Sequence, residues 1–344
     1  MTTHDRFSGS FEVDGRQIGS GCPVYVIAEA GVAHFGSEEK AYRLVDLAAG
    51  AGADAVKFQV FDVDALISGE LPDWRDRLST RQLPYETFRR IQAYCRDKGI
   101  TFFATAHDEP SLEFLATLDV PVYKVGSGEV GNWPFLKKVA SLGKPLIFST
   151  GMFQRGQIGE ALEAVRKAGN LDVAVLHCVT RYPTPPEEAS LGNMRWIQEN
   201  HHVITGYSDH TRGFHFPLAA VALGARIVEK HITLDYDVPN AQDWKVSCGP
   251  ADLGTFIQQL REIEAGLGEK EAGPTAGERD SLTWASKSLV TTRDLPAGSV
   301  LQAADLTGKR PGTGIPPSRL EEVIGKMTRV PLERDQAVQW EQLA

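Results

Sequence analysis

Two histidines, His210 and His231, each stand where a short apolar run of the sequence ends. Short β-branched runs bounded by glycine predict buried strands, so both imidazoles would project from strand ends. If the two strands are neighbours in a parallel barrel, the imidazoles converge at one mouth. Neutral imidazole is the commonest side-chain ligand of divalent transition metals. The pair therefore predicts a catalytic metal site, and this prediction depends on the barrel because a lone histidine is more often structural.

Other predicted strand ends carry the groups that an anionic substrate needs. Lys57 and Lys124 could neutralise a phosphate or carboxylate, and a metal at the histidines could polarise a carbonyl group. Glu29 and Glu129 remain for acid–base work or for binding hydroxyl groups. Buried charges without a partner cost several kcal/mol, so the collective pattern indicates a site. The hydroxyl groups that would complete the cradle are those of Thr105, Ser127, Ser149 and Ser208.

Further polar residues occupy the same strand ends, and their positions alone leave their roles open. For Glu229 and Lys230, a structural salt bridge is as good an interpretation as a catalytic role. Cys178 follows His177 and faintly resembles a nucleophile, although simple burial explains it better. The remaining residues of this group are Gln59, Thr150, Thr180, Tyr182 and Asp209.

Eight apolar runs, most of them alternating with amphipathic segments, predict the scaffold. Continuous apolar strands are expected where helices cover both faces of a parallel sheet, and eight units in about 250 residues match a (β/α)8 barrel. A doubly wound open sheet would show a glycine-rich fingerprint after its first strand, and Glu29–His34 is not one. The predicted strands are Val24–Ala28, Ala55–Val60, Thr101–Thr105, Val122–Gly126, Pro145–Thr150, Val173–Cys178, Val203–Tyr207 and Arg226–His231.

The composition divides the chain into a barrel domain over residues 1–266, a linker over 267–281 and a small β-rich module over 282–344. Amphipathic periodicity predicts a last barrel helix over Asp252–Ala265, with Gly266 as its C-cap. The linker is rich in Gly, Glu, Lys, Ala and Pro and has no apolar period. In the module, Ser288–Thr292 and Met327–Pro331 are the short apolar runs, and Ala304–Gly314 has the composition of a loop with two cations.

The 344 residues carry a formal net charge of −9 without long runs of one sign, which argues against a nucleic-acid partner. Four scattered cysteines, Cys22, Cys95, Cys178 and Cys248, predict reduced thiols of a cytosolic protein. Residues 1–14 lack the apolar core of a secretory signal, and Phe216–Gly224 is too short to span a bilayer. We therefore expect a soluble cytoplasmic protein.

Together, the motifs at the predicted strand ends resemble the sialic acid synthase family, which includes the N-acetylneuraminate, legionaminate and pseudaminate synthases. Each motif is weak alone, but their order along the chain makes the set specific. The resemblance extends from about Val24 to near the C-terminus. The motifs are Lys124–Val–Gly–Ser–Gly–Glu129, Ser149–Thr–Gly–Met152, Leu176–His–Cys178, Tyr182–Pro–Thr–Pro185, Ser208–Asp–His–Thr211, Glu229–Lys–His231 and Lys309–Arg–Pro–Gly312.

This resemblance implies a (β/α)8 barrel joined to a C-terminal antifreeze-like (SAF-type) domain in a domain-swapped homodimer. It also implies condensation of phosphoenolpyruvate with an N-acylated hexosamine, which gives a nine-carbon 2-keto acid and phosphate. An enzyme that catalyses this reaction is a transferase that forms a carbon–carbon bond. The metal is expected to be manganese or magnesium, with cobalt as a further candidate, held by His210 and His231.

Carried over by motif, the resemblance assigns phosphoenolpyruvate contacts to Lys57, Thr105, Ser127, Ser149 and Ser208. It assigns sugar contacts to Glu29, Gln59, Tyr182 and Asp243. The partner subunit's Arg310 would hold the N-acyl group of the sugar, and Glu129 would be the acid–base residue. Lys124 and Thr180 join the predicted substrate-binding set.

Three positions depart from the family pattern. Ala33–His34 replaces the usual Asn-His after the first strand, Thr180 replaces an Asn, and Asn240–Asp243 replaces a Gly-Pro-Asp segment. Because these positions lie near the acceptor and phosphate sites, we expect an acceptor that differs from N-acetylmannosamine. A non-acylated or phosphorylated aldose remains open.

Two other functions compete with this interpretation. A Schiff-base aldolase could use Lys57, Lys124 or Lys230 on the same barrel. A sugar- or ice-binding scaffold could instead act through its C-terminal module. A scaffold of that kind has no need to keep buried lysines and histidines, which argues against it.

Overall fold

In the computed structural model, residues 6–268 and 273–344 are described. The chain divides into two compact units, Met1–Gly268 and Glu269–Ala344. The predicted linker lies across this division, and its residues 269–272 lie outside the described part.

The first unit is a closed barrel of eight parallel strands, so the predicted (β/α)8 fold is confirmed. Each strand is hydrogen-bonded to the next one along the chain, and the last barrel strand closes on the first. The barrel strands are β3 (Tyr25–Gly31), β4 (Ala55–Val60), β5 (Thr101–Ala106), β6 (Tyr123–Val125), β7 (Leu146–Ser149), β8 (Val173–Cys178), β9 (Ile204–Asp209) and β10 (Ile227–His231).

Almost every residue in these strands is buried, because side chains alternate between the barrel interior and the surrounding helices. The helices of this unit are α1 (Glu38–Ala51), α2 (Val63–Leu66), α3 (Pro72–Ser79), α4 (Tyr85–Lys98), α5 (Glu109–Thr117), α6 (Trp133–Ala140), α7 (Arg155–Lys167), α8 (Gly192–His201), α9 (His215–Ala222) and α10 (Leu253–Gly266). In the described part of the chain, no helix has the length and apolarity required to cross a membrane.

An antiparallel hairpin precedes the barrel, formed by β1 (Ser10–Val13) and β2 (Arg16–Gly19). Its alternate residues Phe11, Val13 and Ile18 are buried in the main core. Arg16 of the hairpin forms an ion pair with the buried Asp54, which directly precedes β4. The hairpin is therefore anchored to the barrel by both apolar and charged contacts.

The second unit contains α11 (Ala276–Ala285), β11 (Ser288–Thr291), β12 (Leu306–Lys309) and α12 (Leu320–Val323). Its own small core includes Leu289, Ile315 and Val338. Strands β11 and β12 pair antiparallel, and isolated bridges such as that between Val300 and Met327 extend the β character.

Three predictions require correction. The predicted linker is helical from Ala276, because Thr275 and Glu278 form a reciprocal capping box. The predicted loop Ala304–Gly314 contains β12, because Thr307 pairs with Val290. Helix α10 includes Gly266 and is capped by Leu267, whose backbone N–H donates to the last turn.

Candidate active site

The carboxyl ends of the barrel strands surround a cavity of about 450 Å3. Because strand residues alternate in direction, pairs two apart in sequence both face this cavity, as Lys57 and Gln59, Ser208 and His210, and Glu229 and His231 do. The strand register brings them to one level, with Glu229 beside Ser208 and His231 beside Glu29. The predicted site residues that line the cavity are Glu29, Lys57, Gln59, Thr105, Lys124, Ser127, Ser149, Thr180, Tyr182, Ser208, His210, His231 and Asp243.

Lys57 is a buried cation between two carboxylates. Its Nζ lies 2.8 Å from Glu29 Oε2 and 3.6 Å from Glu229 Oε2, and it donates a hydrogen bond to Thr105 Oγ1 at 3.1 Å. Burial by itself would lower the pKa of Lys57, but Glu229 and Glu29 together raise it above its ordinary value. Lys57 is therefore held in its charged form.

Lys124 lies on the other side of Glu229. Its Nζ donates to Ser149 Oγ at 2.8 Å and lies 3.5 Å from Glu229 Oε1. Burial lowers the pKa of Lys124 below its ordinary value, with Lys57 adding to this effect and Glu229 opposing it. The two lysines thus differ in how firmly they hold their protons.

Glu229 connects the two lysines. Its Oε1 accepts a hydrogen bond from Ser208 Oγ at 2.8 Å. Burial alone would raise the pKa of Glu229, but Lys124 and Lys57 lower it to about 2. This residue, whose role the sequence left open, is therefore a permanent anion that keeps two cations in place.

His210 and His231 lie side by side, with ring centroids 5.3 Å apart. His210 Nδ1 lies 2.6 Å from the carbonyl oxygen of Val179, a contact that favours a proton on Nδ1 and leaves Nε2 free for a ligand. Burial lowers the pKa of His231, which favours neutral imidazole. Burial alone would lower the pKa of His210, but Cys178, whose Sγ lies 3.6 Å from Nδ1, and the carbonyl oxygen of Val179 raise it to about 9. A metal at His210 must therefore displace a proton, after which the two imidazoles are ligands of the type that a divalent transition metal prefers. No cluster of three or more His, Cys, Asp or Glu side chains suited to a metal occurs within residues 6–268 and 273–344.

A buried ion pair lies next to the two histidines in the sequence, on the opposite side of their strands. Lys230 Nζ donates to Asp209 Oδ2 at 2.5 Å and to the carbonyl oxygen of Thr211 at 3.0 Å. Both side chains are at most 1% exposed. Lys230 is thus engaged in holding β9 to β10 and does not line the cavity, which agrees with the structural interpretation of this residue.

The predicted sugar contacts cluster around the histidines. Gln59 Nε2 donates to Glu29 Oε1 at 2.9 Å. The ring of Tyr182 lies 4.0 Å from that of His210 and 5.8 Å from that of His231, measured between centroids. Asp243 lines the same cavity from a short 3-10 helix, Asp243–Val246.

Gly151 explains how Thr180 and Ser127 come together. Its backbone N–H donates to Ser127 Oγ at 2.9 Å. A Cβ atom at this position would lie 2.1 Å from Thr180 Oγ1 and 2.8 Å from Ser127 Oγ, so only glycine allows the approach.

The geometry does not bring every predicted residue into the cavity. Ser127–Glu129 forms a 3-10 turn in which Ser127 lines the cavity and Glu129 does not. Glu129 instead accepts a hydrogen bond from Asn132 Nδ2 at 2.7 Å, and burial raises its pKa. The role of Glu129 as the acid–base residue is therefore not supported by its position, and the carboxylates present in the cavity wall are Glu29, Glu229 and Asp243.

Arg310 belongs to the second unit. It is exposed at the end of β12, with its guanidinium 5.9 Å from the ring centroid of Trp284. Its predicted contact with a partner subunit's barrel remains a prediction.

The family departure at Ala33–His34 does not line the cavity. His34 is fully buried, and its Nδ1 accepts a hydrogen bond from the backbone N–H of Gly36 at 3.1 Å. Burial lowers the pKa of His34 to about 4.

Residues that the sequence did not single out also line the cavity, namely Trp74, Arg77, Leu78, Arg81 and His107. The first three lie on α3 and Arg81 follows it. Helix α3 contains no buried residue. It therefore lacks the apolar stripe from which an amphipathic helix can be predicted.

The site combines paired imidazoles with a buried lysine–glutamate network at the carboxyl end of a (β/α)8 barrel. These features define the class of protein as a (β/α)8 barrel with a concave polar site of the kind found in enzymes. The model described as the NeuB family matches residues 44–272, and the SAF domain model matches residues 286–344. The chain belongs to the NeuB family and carries a C-terminal SAF domain, so the resemblance to sialic acid synthases is confirmed.

Named relatives agree with this assignment. The chain is 36% identical to an N,N'-diacetyllegionaminic acid synthase of Campylobacter jejuni, over 91% of this chain and 98% of the relative. It is 31% identical to the human N-acetylneuraminate-9-phosphate synthase, over 94% of each. The fold is also similar to the crystal structure of an N-acetylneuraminic acid synthetase from Leptospira borgpetersenii in complex with citrate, with a TM-score of 0.74 and 31% sequence identity. The match covers 80% of this chain and 96% of the Leptospira chain.

Proposed function

We propose that this protein condenses phosphoenolpyruvate with an N-acylated hexosamine resembling N-acetylmannosamine, giving a nonulosonic acid and inorganic phosphate. The observation that carries the proposal is the pair Lys57 and Lys124, joined by Glu229, in the cavity that also contains His210 and His231. Relatives that are named synthases of such acids support it.

The lysines would bind the phosphate and carboxylate groups of phosphoenolpyruvate. Each lysine already holds a hydroxyl group by a hydrogen bond, Lys57 that of Thr105 and Lys124 that of Ser149. An anion entering between them meets cations and hydroxyl donors that are already oriented, which is electrostatic preorganisation. The cations would also stabilise the phosphate group as it leaves.

In the proposed reaction, C3 of phosphoenolpyruvate attacks the aldehyde carbon of the open-chain sugar. A new C–C bond forms, the aldehyde oxygen takes a proton, and C2 becomes electron-deficient. Water adds to C2 and loses one proton, which leaves a hydroxyl group on C2. The C–O bond to phosphate then breaks with its electron pair going to phosphate, and the C2 hydroxyl loses its proton, to phosphate or solvent, to become the keto group. Glu29, held by Gln59 at 2.9 Å, would accept the proton of water or bind a sugar hydroxyl.

A divalent metal bound to Nε2 of His210 and to His231 would polarise the aldehyde as a Lewis acid. Manganese, magnesium and cobalt are the candidates. Tyr182, packed against both imidazoles, would orient the two rings and exclude water from one side of the site.

We further propose, from the family resemblance, that the protein acts as a domain-swapped homodimer. In that arrangement the partner subunit's Arg310 would bind the acceptor's N-acyl group. The exposure of Arg310 supports this role, because the guanidinium is free to contact another chain.

One observation favours the second candidate, a Schiff-base aldolase. A lysine whose pKa is lowered by burial is a better amine nucleophile, and Lys124 has this property. An aldolase would be trapped by borohydride with pyruvate and would retain activity in EDTA, whereas the synthase would do neither.

The deciding experiment measures inorganic phosphate released from phosphoenolpyruvate with manganese. The acceptor panel contains N-acylated hexosamines, plain hexoses and their 6-phosphates. Release with one sugar and its loss in EDTA are the expected results. Absence of release with every sugar, from a folded and metal-loaded protein, would refute the proposed chemistry.

A further inference from the structure

Two arginines form part of the cavity wall and have no role in the proposed reaction. Arg77 lies in α3 and Arg81 lies two residues beyond the helix end. Both line the barrel cavity and also an adjoining outer depression of about 740 Å3, whose far wall includes Pro239 and Asn240. Neither Lys57 nor Lys124 lines the outer depression, so the arginines occupy the place where the cavity continues outward.

The guanidinium groups are held by contacts that leave their charges unneutralised. Arg77 lies 5.1 Å from the ring centroid of Trp74, and Arg81 lies 5.4 Å from that of Phe35. Arg81 Nη2 donates to the carbonyl oxygen of Asn240 at 2.6 Å. Within residues 6–268, neither guanidinium forms an ion pair, and the buried Nε of Arg77 has no hydrogen-bond partner. A buried donor without a partner is costly, so these N–H groups call for an acceptor.

The neighbouring carboxylates do not supply it. Asp73 and Asp76 line the outer depression and Asp243 lines the cavity, but none lies within ion-pair distance of Arg77 or Arg81. Burial lowers the pKa of Arg81, and Arg77 lowers it further while Asp243 opposes the effect. The two cations are therefore close enough to repel each other, an arrangement that an anion between them would relieve.

Arg75 provides an internal comparison on the same helix. It forms an ion pair with Asp64 and donates to the carbonyl oxygen of Ile67 at 3.1 Å. It lines neither the cavity nor the depression. Unlike Arg77 and Arg81, it has the partners expected of a structural arginine.

We propose that Arg77 and Arg81 form an anion subsite at the cavity mouth that selects an acceptor sugar carrying a phosphate or carboxylate group. The inference rests on the proposed function, because it assumes that the cavity binds a sugar. The aldehyde end of the sugar lies at the histidines, and the charged substituent at the far end reaches the guanidinium pair. Asn240, which begins the segment where the chain departs from its family pattern, holds Arg81 in place.

The test compares three acceptors in the phosphate-release assay: an N-acylated hexosamine, its 6-phosphate and the corresponding 6-carboxylate. The proteins are the wild type, R77Q, R81Q, the double variant and the matched control R75Q. We expect the wild type to have a KM for one anionic sugar at least tenfold below that for the neutral sugar. R77Q and R81Q should each raise that KM by about 10- to 100-fold, the loss of a charge-assisted contact. The rise should exceed any change in the KM for phosphoenolpyruvate, and R75Q should keep the wild-type preference.

Which anionic sugar is preferred identifies the substituent as phosphate or carboxylate. Equal KM values for neutral and anionic sugars, or a preference that survives in the double variant, would overturn the subsite while leaving the proposed function intact. If no sugar supports release, the proposed function fails. Calorimetric titration with hexosamine 6-phosphate then tests the subsite independently of turnover. Binding to the wild type that is lost in the double variant supports the subsite. Equal binding to both proteins, or no binding to either, refutes it.

Discussion

Glu229 illustrates how a single carboxylate sets the electrostatics of the cavity. It lies 3.6 Å from Lys57 and 3.5 Å from Lys124, and its charge opposes the loss of protons that burial would cause in both. Glu229 therefore keeps both lysine side chains beside a negative charge inside the cavity. In the proposed reaction, the phosphate of phosphoenolpyruvate would meet charges that are already formed, so the reaction would need little reorganisation.

Lys124 should matter chiefly for phosphoenolpyruvate. We expect K124Q to raise the KM for phosphoenolpyruvate at least tenfold, because one of two cations in the anion cradle is lost, and to change the acceptor KM much less. Lys138 is a surface lysine that pairs with Glu109, so K138Q is a matched control and should behave as wild type. Steady-state kinetics with each substrate varied in turn make the comparison. An unchanged KM for phosphoenolpyruvate in K124Q would exclude Lys124 from the cradle.

The two histidines should be required for metal-dependent turnover and dispensable for folding. H210A or H231A should lower manganese-dependent phosphate release about a hundredfold or more, since each removes one of two imidazole ligands. The melting temperatures of both variants should stay near that of the wild type, because both imidazoles face the cavity and neither belongs to the apolar core. H215A, which removes an exposed histidine at the start of α9, is the control. Bound manganese, measured by elemental analysis after gel filtration, should fall in step with activity. Full activity in either site variant would remove the metal role.

At the scale of elements, the barrel strands were predictable because burial on both faces imposes nearly continuous apolar runs. The run predicted over Ala55–Val60 coincides with β4, and that over Val173–Cys178 coincides with β8. The site followed from the same rule, since polar residues at the ends of such runs in a barrel must meet at one face.

Elements with weaker patterns escaped prediction for identifiable reasons. Helix α3 has no buried residue, and its arginines therefore carried no periodic signal. The β1–β2 hairpin does show alternation, with Phe11 and Val13 buried, but four-residue strands give too few repeats to stand out from polar sequence. The orientation of Glu129 depended on a three-residue 3-10 turn and on Asn132, which spacing alone does not determine.

The turn between β3 and α1 should make stability depend on pH. His34 is fully buried, and burial lowers its pKa to about 4, below the ordinary value of 6.5. In the unfolded chain the imidazole gains a proton as the pH falls below 6.5, whereas the folded chain gains it only near pH 4. Stability is therefore full above pH 6.5 and declines as pH falls, by up to about 3 kcal/mol at pH 4.

Urea unfolding at pH 7.0 and 4.5 tests this prediction. The wild type should lose more free energy of unfolding over this interval than H34Q, whose amide does not titrate. H202Q serves as a control, because His202 is exposed at the end of α8. An equal loss in wild type and H34Q would show that other groups govern the acid sensitivity.

At the scale of the whole molecule, the proposed function requires two parts of the sequence to cooperate. The barrel carries the lysines and histidines, whereas Arg310 belongs to the SAF unit. If the active site combines one subunit's barrel with its partner's Arg310, two differently inactivated chains can complement each other.

Mixing K57Q with R310A provides that test. In a mixed dimer of the proposed kind, one site carries both defects and the other carries none, because its barrel comes from the R310A chain and its arginine from the K57Q chain. If the subunits re-assort randomly after reversible unfolding, half of the dimers are mixed, and activity should recover to about a quarter of the wild-type value. K57Q mixed with H210A is the control and should stay inactive, because both defects lie in the barrel and every site keeps one. Absence of recovery with R310A, despite re-assortment shown by differently tagged chains, would mean that any contribution of Arg310 is made to the barrel of its own chain.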